Sequence, residues 1–234
     1  SYLPEVKPVP DHINWDLWIG PSPSHPYNPG YIKGGCLSWN LYWDFGSGQI
    51  GDMGSHMNDM AYWGLDLTFP TTCKAEGTEF NPDTCPQWLT AEWDHPANDW
   101  RPAVKVYWYD GGKKPGMPAK AFDRDELFKG ALFKGDKGWL LADYDLRILM
   151  PRQDGGDMTH YKSPKPEDLI PRSLGHHQEW IVACKTGKPT TCNFDYSGAL
   201  IELNLLALVA YRVGKALEWD TNNLKATNCP EADQ

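Results

Sequence analysis

Residues 46–66, GSGQIGDMGSHMNDMAYWGLD, place Asp52 four positions ahead of His56, with Asp59 and Trp63 following. A carboxylate one helical turn before a histidine orients the imidazole and raises its basicity, which suits a general acid or base near neutral pH. At about 100° per residue, with Asp52 at zero, His56 falls near 40°, Trp63 near 20° and Asp59 near −20°. The same rule gathers Ile50, Met53, Met57, Met60 and Gly64 between roughly 80° and 160°. A core stripe and a chemically loaded stripe would then lie about a third of a turn apart. Gly51, Gly54 and Ser55 leave a third sector nearly bare, where a ligand or another backbone could come close. Each such glycine costs a helix up to about 1 kcal/mol relative to alanine. Three readings of the residues stay open: a proton-exchanging pair, a helix-stabilising pair at i,i+4, and half of a metal site with no third ligand nearby.

The elements that must hold this stretch can be read on either side of it. Residues 1–35 carry Pro4, Pro8, Pro10, Pro21, Pro23, Pro26 and Pro29, interleaved with Trp15, Trp18, Tyr27 and Tyr31. Prolines at that density exclude regular helix or central strand, and the aromatics require a surface to lie on, so an ordered, extended arm is expected. Residues 36–234 then read as one further domain. Strand-like alternation occurs at 72–80, 88–95 and 103–110, the last running into Asp110-Gly111-Gly112. Residues 130–144 read as a hairpin turning at Gly135–Gly138. From 171 the period becomes helical. One helix has Pro171 near its start and Gly187 at its end, and a second, more apolar one has Asp195 as N-cap and Gly214 near its end. Strands followed by helices predict an α+β fold, an open and predominantly antiparallel sheet with helices on one face.

Composition removes whole classes of function. A formal net charge of −9 and a pI near 5.2 argue against nucleic acid or an anionic membrane surface as a partner. With 41% hydrophobic and 23% charged residues the chain reads as soluble and globular, and its compartment, cytoplasmic or periplasmic, stays open. The most apolar stretch, 199–213, carries Glu202 and Asn204 and falls short of the roughly 20 apolar residues of a membrane span. Six cysteines form no C-x-x-C pair; Cys73 with Cys85, or Cys184 with Cys192, could bridge in an oxidising compartment, and free, buried thiols are the expectation for most. Twelve tryptophans are the compositional outlier, fit for cores and for stacking on sugar rings. No P-loop occurs, and no G-x-G-x-x-G follows a strand. A start at Ser1 and a loop-like NCPEADQ end read as cut termini.

Four segments together resemble the glucose–fructose oxidoreductase / inositol dehydrogenase (Gfo/Idh/MocA) family: WDLWIGPSPSHPYNP, WDFGSGQIGDMGSHMNDMAYWGLDLTFPT, LFKGDKGWL and GKALEWDTNNLKATNCPEA. They look like the branch found in planctomycetes and Bacteroidetes. The resemblance is to the second domain alone, the N-terminal Rossmann domain being absent from this chain. It implies an open antiparallel sheet with helices on one face, which supplies the substrate pocket and a homo-oligomer interface through the sheet. The family's glycine-rich pattern ending in D-x-G-x-H falls on Gly48 to His56, its D-x-G-x-H on Asp52 to His56, with Gln49 in place of a glycine after Gly48.

By that resemblance His56 would exchange the proton of a sugar or polyol hydroxyl and Asp52 would orient it. NAD or NADP would be bound by the missing Rossmann domain, with no cofactor-binding residue and no metal site in this chain. Trp15, Trp18, Tyr27, Trp43 and Asp59 would line the substrate or cofactor mouth. Asn40 stands where the branch carries an arginine, so specificity could differ there. His176 and His177 could face the pocket or serve helix capping. The implied function is the substrate-binding and oligomerisation domain of an NAD(P)-dependent oxidoreductase acting on a sugar or cyclitol. Two alternatives stay open: an NAD-assisted glycosidase or epimerase of the same family, and a non-enzymatic carbohydrate-binding module.

Overall fold

A computed structural model describes residues 1–116, 129–151, 162, 164–170 and 172–233. The chain divides into two compact units, residues 1–118 with 200–234, and residues 119–199.

The first unit is built on a five-stranded sheet of β1 (Thr72–Gly77), β2 (Leu89–His95), β3 (Val104–Tyr109), β7 (Leu217–Asp220) and β8 (Lys225–Ala226). Their order is β3-β2-β1-β7-β8 and every neighbouring pair is antiparallel. The period of two sends Leu89, Ala91, Trp93 and His95 to the buried face, with Cys73, Val106, Trp108 and Leu217 beside them. A helix packs on this face. The Trp93 indole donates to the Leu203 carbonyl of α5 (Phe194–Val213) at 3.0 Å, and the Tyr211 hydroxyl of the same helix donates to the Thr78 carbonyl at 2.8 Å. The outer face carries a compensated charge ladder instead: Lys74 to Glu92 at 3.0 Å, and Lys105 to Glu92 at 2.6 Å and Asp94 at 2.7 Å.

The expected α+β architecture of antiparallel strands with helices is present, with the strands divided between two sheets. The second unit holds β4 (Ala131–Lys134), β5 (Gly138–Ala142) and β6 (Arg147–Pro151), again antiparallel. The hairpin turns between Gly135 and Gly138, where the Gly135 amide donates to the Gly138 carbonyl at 2.8 Å. This unit also contains α4 (His176–Thr186), closed by Gly187 in the left-handed region at φ 70°. The helix starts at His176, not near Pro171, which lies outside the described residues. For α5 the N-cap is Asn193 and not Asp195: the Asn193 side chain accepts from the Tyr196 amide at 3.1 Å, and Asp195 sits in the first turn.

At 20 residues α5 extends beyond the stretch read from sequence, and by length and composition alone it could cross a membrane. Leu203, Leu206, Ala207 and Ala210 of this helix are nevertheless buried inside the molecule. All six cysteines are free; Cys73, Cys85 and Cys229 are buried, whereas Cys36, Cys184 and Cys192 are exposed. Burial pushes the Cys85 thiol up to about 12.

Candidate functional site

The loaded stretch folds as α3 (Gly48–Gly64). Gly48 begins it at φ 67°, where an added Cβ would stand 2.8 Å from the Cys85 side chain. The buried residues of α3 are Gly48, Ile50, Gly54, Met57, Asn58 and Tyr62. From Ile50 onward they centre about 200° from Asp52 by the 100° rule. Asp52, His56, Asp59 and Trp63 therefore lie opposite the core, about half a turn from it and not a third. Met53 and Met60, which apolar counting placed in the core stripe, are half-buried. The stripe moves because a polar contact sets it. The buried Asn58 amide donates to Asn204 Oδ1 of α5 at 2.7 Å. A Cβ on Gly54 would stand 2.8–2.9 Å from the same Asn204 side chain. That close approach accounts for Gly54, and the Ser47 side chain fills the space over Gly51. The space over both glycines is occupied by the protein's own side chains, which accounts for them by packing.

On the outward face Asp52 is fixed from below. Asn40 follows the four-residue helix α2 (Cys36–Trp39), is buried, and donates through Nδ2 to Asp52 Oδ2 at 2.9 Å. Its Oδ1 is buried without a hydrogen-bond partner among the described residues. The Asn40 carbonyl also accepts from the Gly48 amide at 2.8 Å, so one residue anchors both the first turn of α3 and its first carboxylate. One turn on, His56 is exposed, as is Trp63, and Asp59 is half-buried. Each of these three is engaged in interactions of its own. The arrangement offers a held carboxylate followed, one turn along the same helix, by a solvent-accessible imidazole.

The arm packs on itself and on residues 39–45. A five-residue helix, α1 (Trp15–Ile19), forms in the proline-free stretch between Pro10 and Pro21, capped by Asn14, whose side chain accepts from the Leu17 amide at 3.0 Å. Prolines at the flanks did not prevent one turn of helix. Trp15 stacks on Trp18 at 4.6 Å and meets Tyr27 edge-on at 5.1 Å; Trp18 meets Phe45 at 5.0 Å. Tyr27 is buried, and the Trp15 indole donates to the His25 carbonyl at 2.7 Å. Trp43 donates to the Asn81 carbonyl at 2.9 Å and lies under the Arg212 guanidinium at 5.4 Å. Trp15, Trp18, Tyr27, Asn40, Trp43, Asp52, His56 and Asp59 thus share the first unit. His176 and His177 are exposed at the start of α4 in the second.

Sequence reasoning passed over Asp44. Its Oδ2 lies 2.6 Å from His25 Nε2, its carboxylate accepts from the Tyr2 hydroxyl, and its carbonyl accepts from the Ser22 hydroxyl. Burial alone would raise this carboxyl, but the hydrogen bonds from Tyr2 and His25 outweigh it and hold Asp44 below the usual range. The same burial and the same partner push the Tyr2 phenol up. Both His25 and Asp44 sit inside the quoted motifs, yet no helical or strand period links positions 19 apart across a proline run.

At the opposite end of α3 the buried Arg101 closes the helix. Its guanidinium donates to the carbonyls of Leu65 at 2.5 Å, Pro96 at 2.8 Å and Pro102 at 3.0 Å. A cation against the last carbonyls of a helix is favoured by the helix dipole, which makes Arg101 structural. His95, beside it, is 1% exposed, with Nδ1 bonded to the Thr68 carbonyl at 2.8 Å. Among the described residues, no group of three His, Cys, Asp or Glu side chains could hold a metal ion.

Residues 2–98, which include the arm, Asp44 and all of α3, match the family model described as oxidoreductase family, C-terminal alpha/beta domain. No curated protein matches the chain. Among solved structures it is similar to an oxidoreductase from Agrobacterium radiobacter, crystallised in complex with NAD+, L-tartaric acid and magnesium. That likeness has 16% identity and a TM-score of 0.40, over 72% of this chain and 48% of that one. The chain therefore spans about half the length of that oxidoreductase.

Proposed function

We propose, from the match of residues 2–98 to the Gfo/Idh/MocA oxidoreductase-family model of a C-terminal alpha/beta domain, that this chain is the substrate-binding and oligomerisation part of a nicotinamide-dependent oxidoreductase acting on a sugar or cyclitol hydroxyl. The observation that carries the proposal is the Asn40-held carboxylate of Asp52, one turn before an exposed His56 on the face of α3 turned away from the core. His56 takes the hydroxyl proton, and Asp52 orients the imidazole that receives it. Asn40 supports this pair from beneath in place of contacting the substrate itself.

A bound NAD or NADP would supply hydride acceptance. The described residues do not fit a dinucleotide: every strand pair is antiparallel, so they contain no βαβ unit, and no glycine fingerprint joins strand to helix. We therefore assign cofactor binding to a Rossmann domain of the parental protein and keep this chain's part to binding and proton exchange. Self-association through the outer sheet face would bury a ladder whose charges are already paired, Lys74 and Lys105 against Glu92 and Asp94.

The test is an assay of the full-length parental protein on a panel of sugars and cyclitols with NAD and with NADP. Reduced nicotinamide should accumulate, and His56→Ala should lose turnover by about 10²-fold or more. Release of free sugar from a glycoside without accumulating reduced nicotinamide would move the assignment to NAD-assisted glycoside cleavage. Sugar affinity that survives His56→Ala in a protein with no turnover would overturn the enzyme reading in favour of a binding module.

A further inference from the structure

The arm carries a second histidine held by a carboxylate. His25 follows Ser22 and Pro23 in the turn after α1, and Asp44 lies in the loop that leads into α3. The two side chains meet at 2.6 Å and are 14% and 27% exposed. Since Asp44 is held below the usual carboxylate range it accepts hydrogen bonds, so His25 Nε2 carries the proton shared between them. In the neutral ring that leaves Nδ1 as an acceptor. Among the described residues Nδ1 has no hydrogen-bond partner, and it is not one of the buried polar atoms left without one.

The ring itself cannot swing freely. Tyr2 lies over it with centroids 4.1 Å apart, and Phe45 meets it edge-on at 5.4 Å. Tyr2 is in turn pinned by its hydrogen bond to Asp44 and by stacking on Tyr42 at 5.5 Å. A fixed imidazole with one nitrogen open, walled by aromatic rings, is suited to a neutral ligand that has hydroxyls on its edge and C–H groups on its faces. The net charge of −9 disfavours an anionic one.

We propose that His25 is a hydroxyl-recognising residue of this chain, fixed through Nε2 by Asp44 and presenting Nδ1 to a polyhydroxy ligand laid against the surrounding rings. The inference rests on the sugar or cyclitol reading above and adds a second recognition point to it, contributed by the arm. Both histidines depend on the loop between α2 and α3, where Asn40 reaches Asp52 and Asp44 reaches His25. A contact that only fastened the arm would need the Asp44 bond and would leave Nδ1 indifferent to ligand.

The experiment is a long-range proton–nitrogen NMR correlation on the histidine-labelled chain, with myo-inositol and D-glucose as probes. In the neutral ring His25 should show a protonated Nε2 and an unprotonated Nδ1. Added probe should move the Nδ1 resonance saturably, and Asp44→Asn should weaken that binding by at least about tenfold, as expected when a charge-assisted hydrogen bond is lost. Should Asp44→Asn fail to fold, the tautomer and the saturable Nδ1 shift of the unsubstituted chain test the proposal by themselves. An Nδ1-protonated tautomer would overturn the proposal. Probes that move His56 and leave His25 still would overturn it too, while sparing the assignment of His56. A response at His25 alone would support it at the expense of that assignment. Silence at both would sink the two readings together.

Discussion

Two ends of the same molecule hold histidines in opposite ways. Around the loop before α3, His25 and His56 are accessible and share their surroundings with carboxylates. At the far end of that helix His95 is 1% exposed, its Nδ1 bonded to a backbone carbonyl and its Nε2 buried without a partner among the described residues. Burial, with the Arg101 cation close by, pushes His95 down to about 4. It therefore stays neutral wherever the protein is folded near neutrality, and behaves as a packing group. Residue type alone does not make a histidine functional. What separates the two ends is solvent access together with the kind of group that takes the first ring nitrogen.

The largest effect that could break this contrast is on turnover. In the full-length parental protein His56→Ala should lower kcat by about 10²- to 10⁴-fold with little change in unfolding temperature. His95→Gln should do the reverse, costing stability and sparing kcat. If His95→Gln abolished turnover in a folded protein, the far end would have to join the site.

Next in size is an effect of acid on stability. The folded-state value of about 4 for His95 lies below the 6.5 of an unperturbed histidine. As pH falls through 6.5 the unfolded chain takes up a proton that the folded one refuses. The stability associated with His95 is thus complete above about 6.5 and is lost between 6.5 and about 4, by roughly 3 kcal/mol in all. Denaturant titrations of the wild type and of His95→Gln across that window should diverge, the variant showing the flatter curve. Parallel curves would mean that His95 is protonated or exposed in solution.

Which of these features could be read before the structure follows from the range of the interactions. The strands at 72–77, 89–95 and 104–109 were legible because alternation is local, and so was Gly187, because a left-handed C-cap needs only its own residue. The short β7 and β8 have too few residues to show a period. Asp52 and His56 were visible because a helix brings i and i+4 to one side. The core side of α3 was misplaced because Asn58 and Gly54, which counting treats as polar or empty, meet the buried Asn204 at a separation of 146 residues. Asp44 with His25 was missed for the same reason. A loop-to-loop contact leaves no period in the sequence.

Gly54→Ala tests that correction at intermediate size. Alanine gains helix propensity of up to about 1 kcal/mol over glycine. Its Cβ would however stand 2.8 Å from Asn204 in a packed interface, and overpacking of this kind typically costs about 1–3 kcal/mol. Net destabilisation is expected, partly relieved by pairing the change with Asn204→Ala. A stabilised Gly54→Ala would restore the alternative that this sector of α3 is open.

The smallest expected effect lies on the outer face of the sheet, where charges sit opposite one another across the strands. Lys105 bridges Glu92 and Asp94, and its ammonium pulls both carboxyls below the usual range. The lysine side chain is about half exposed, so water screens these attractions and little net stability comes from them. Lys105→Ala should therefore barely change the unfolding free energy of the monomer, with any difference fading in high salt. If subunits associate through this face, the same substitution leaves Asp94 without its lysine and Glu92 with Lys74 alone at the contact. Its cost then rises with protein concentration, because burying an uncompensated charge is far more expensive than exposing it. Measuring Lys105→Ala stability at two protein concentrations separates an open sheet face from a covered one.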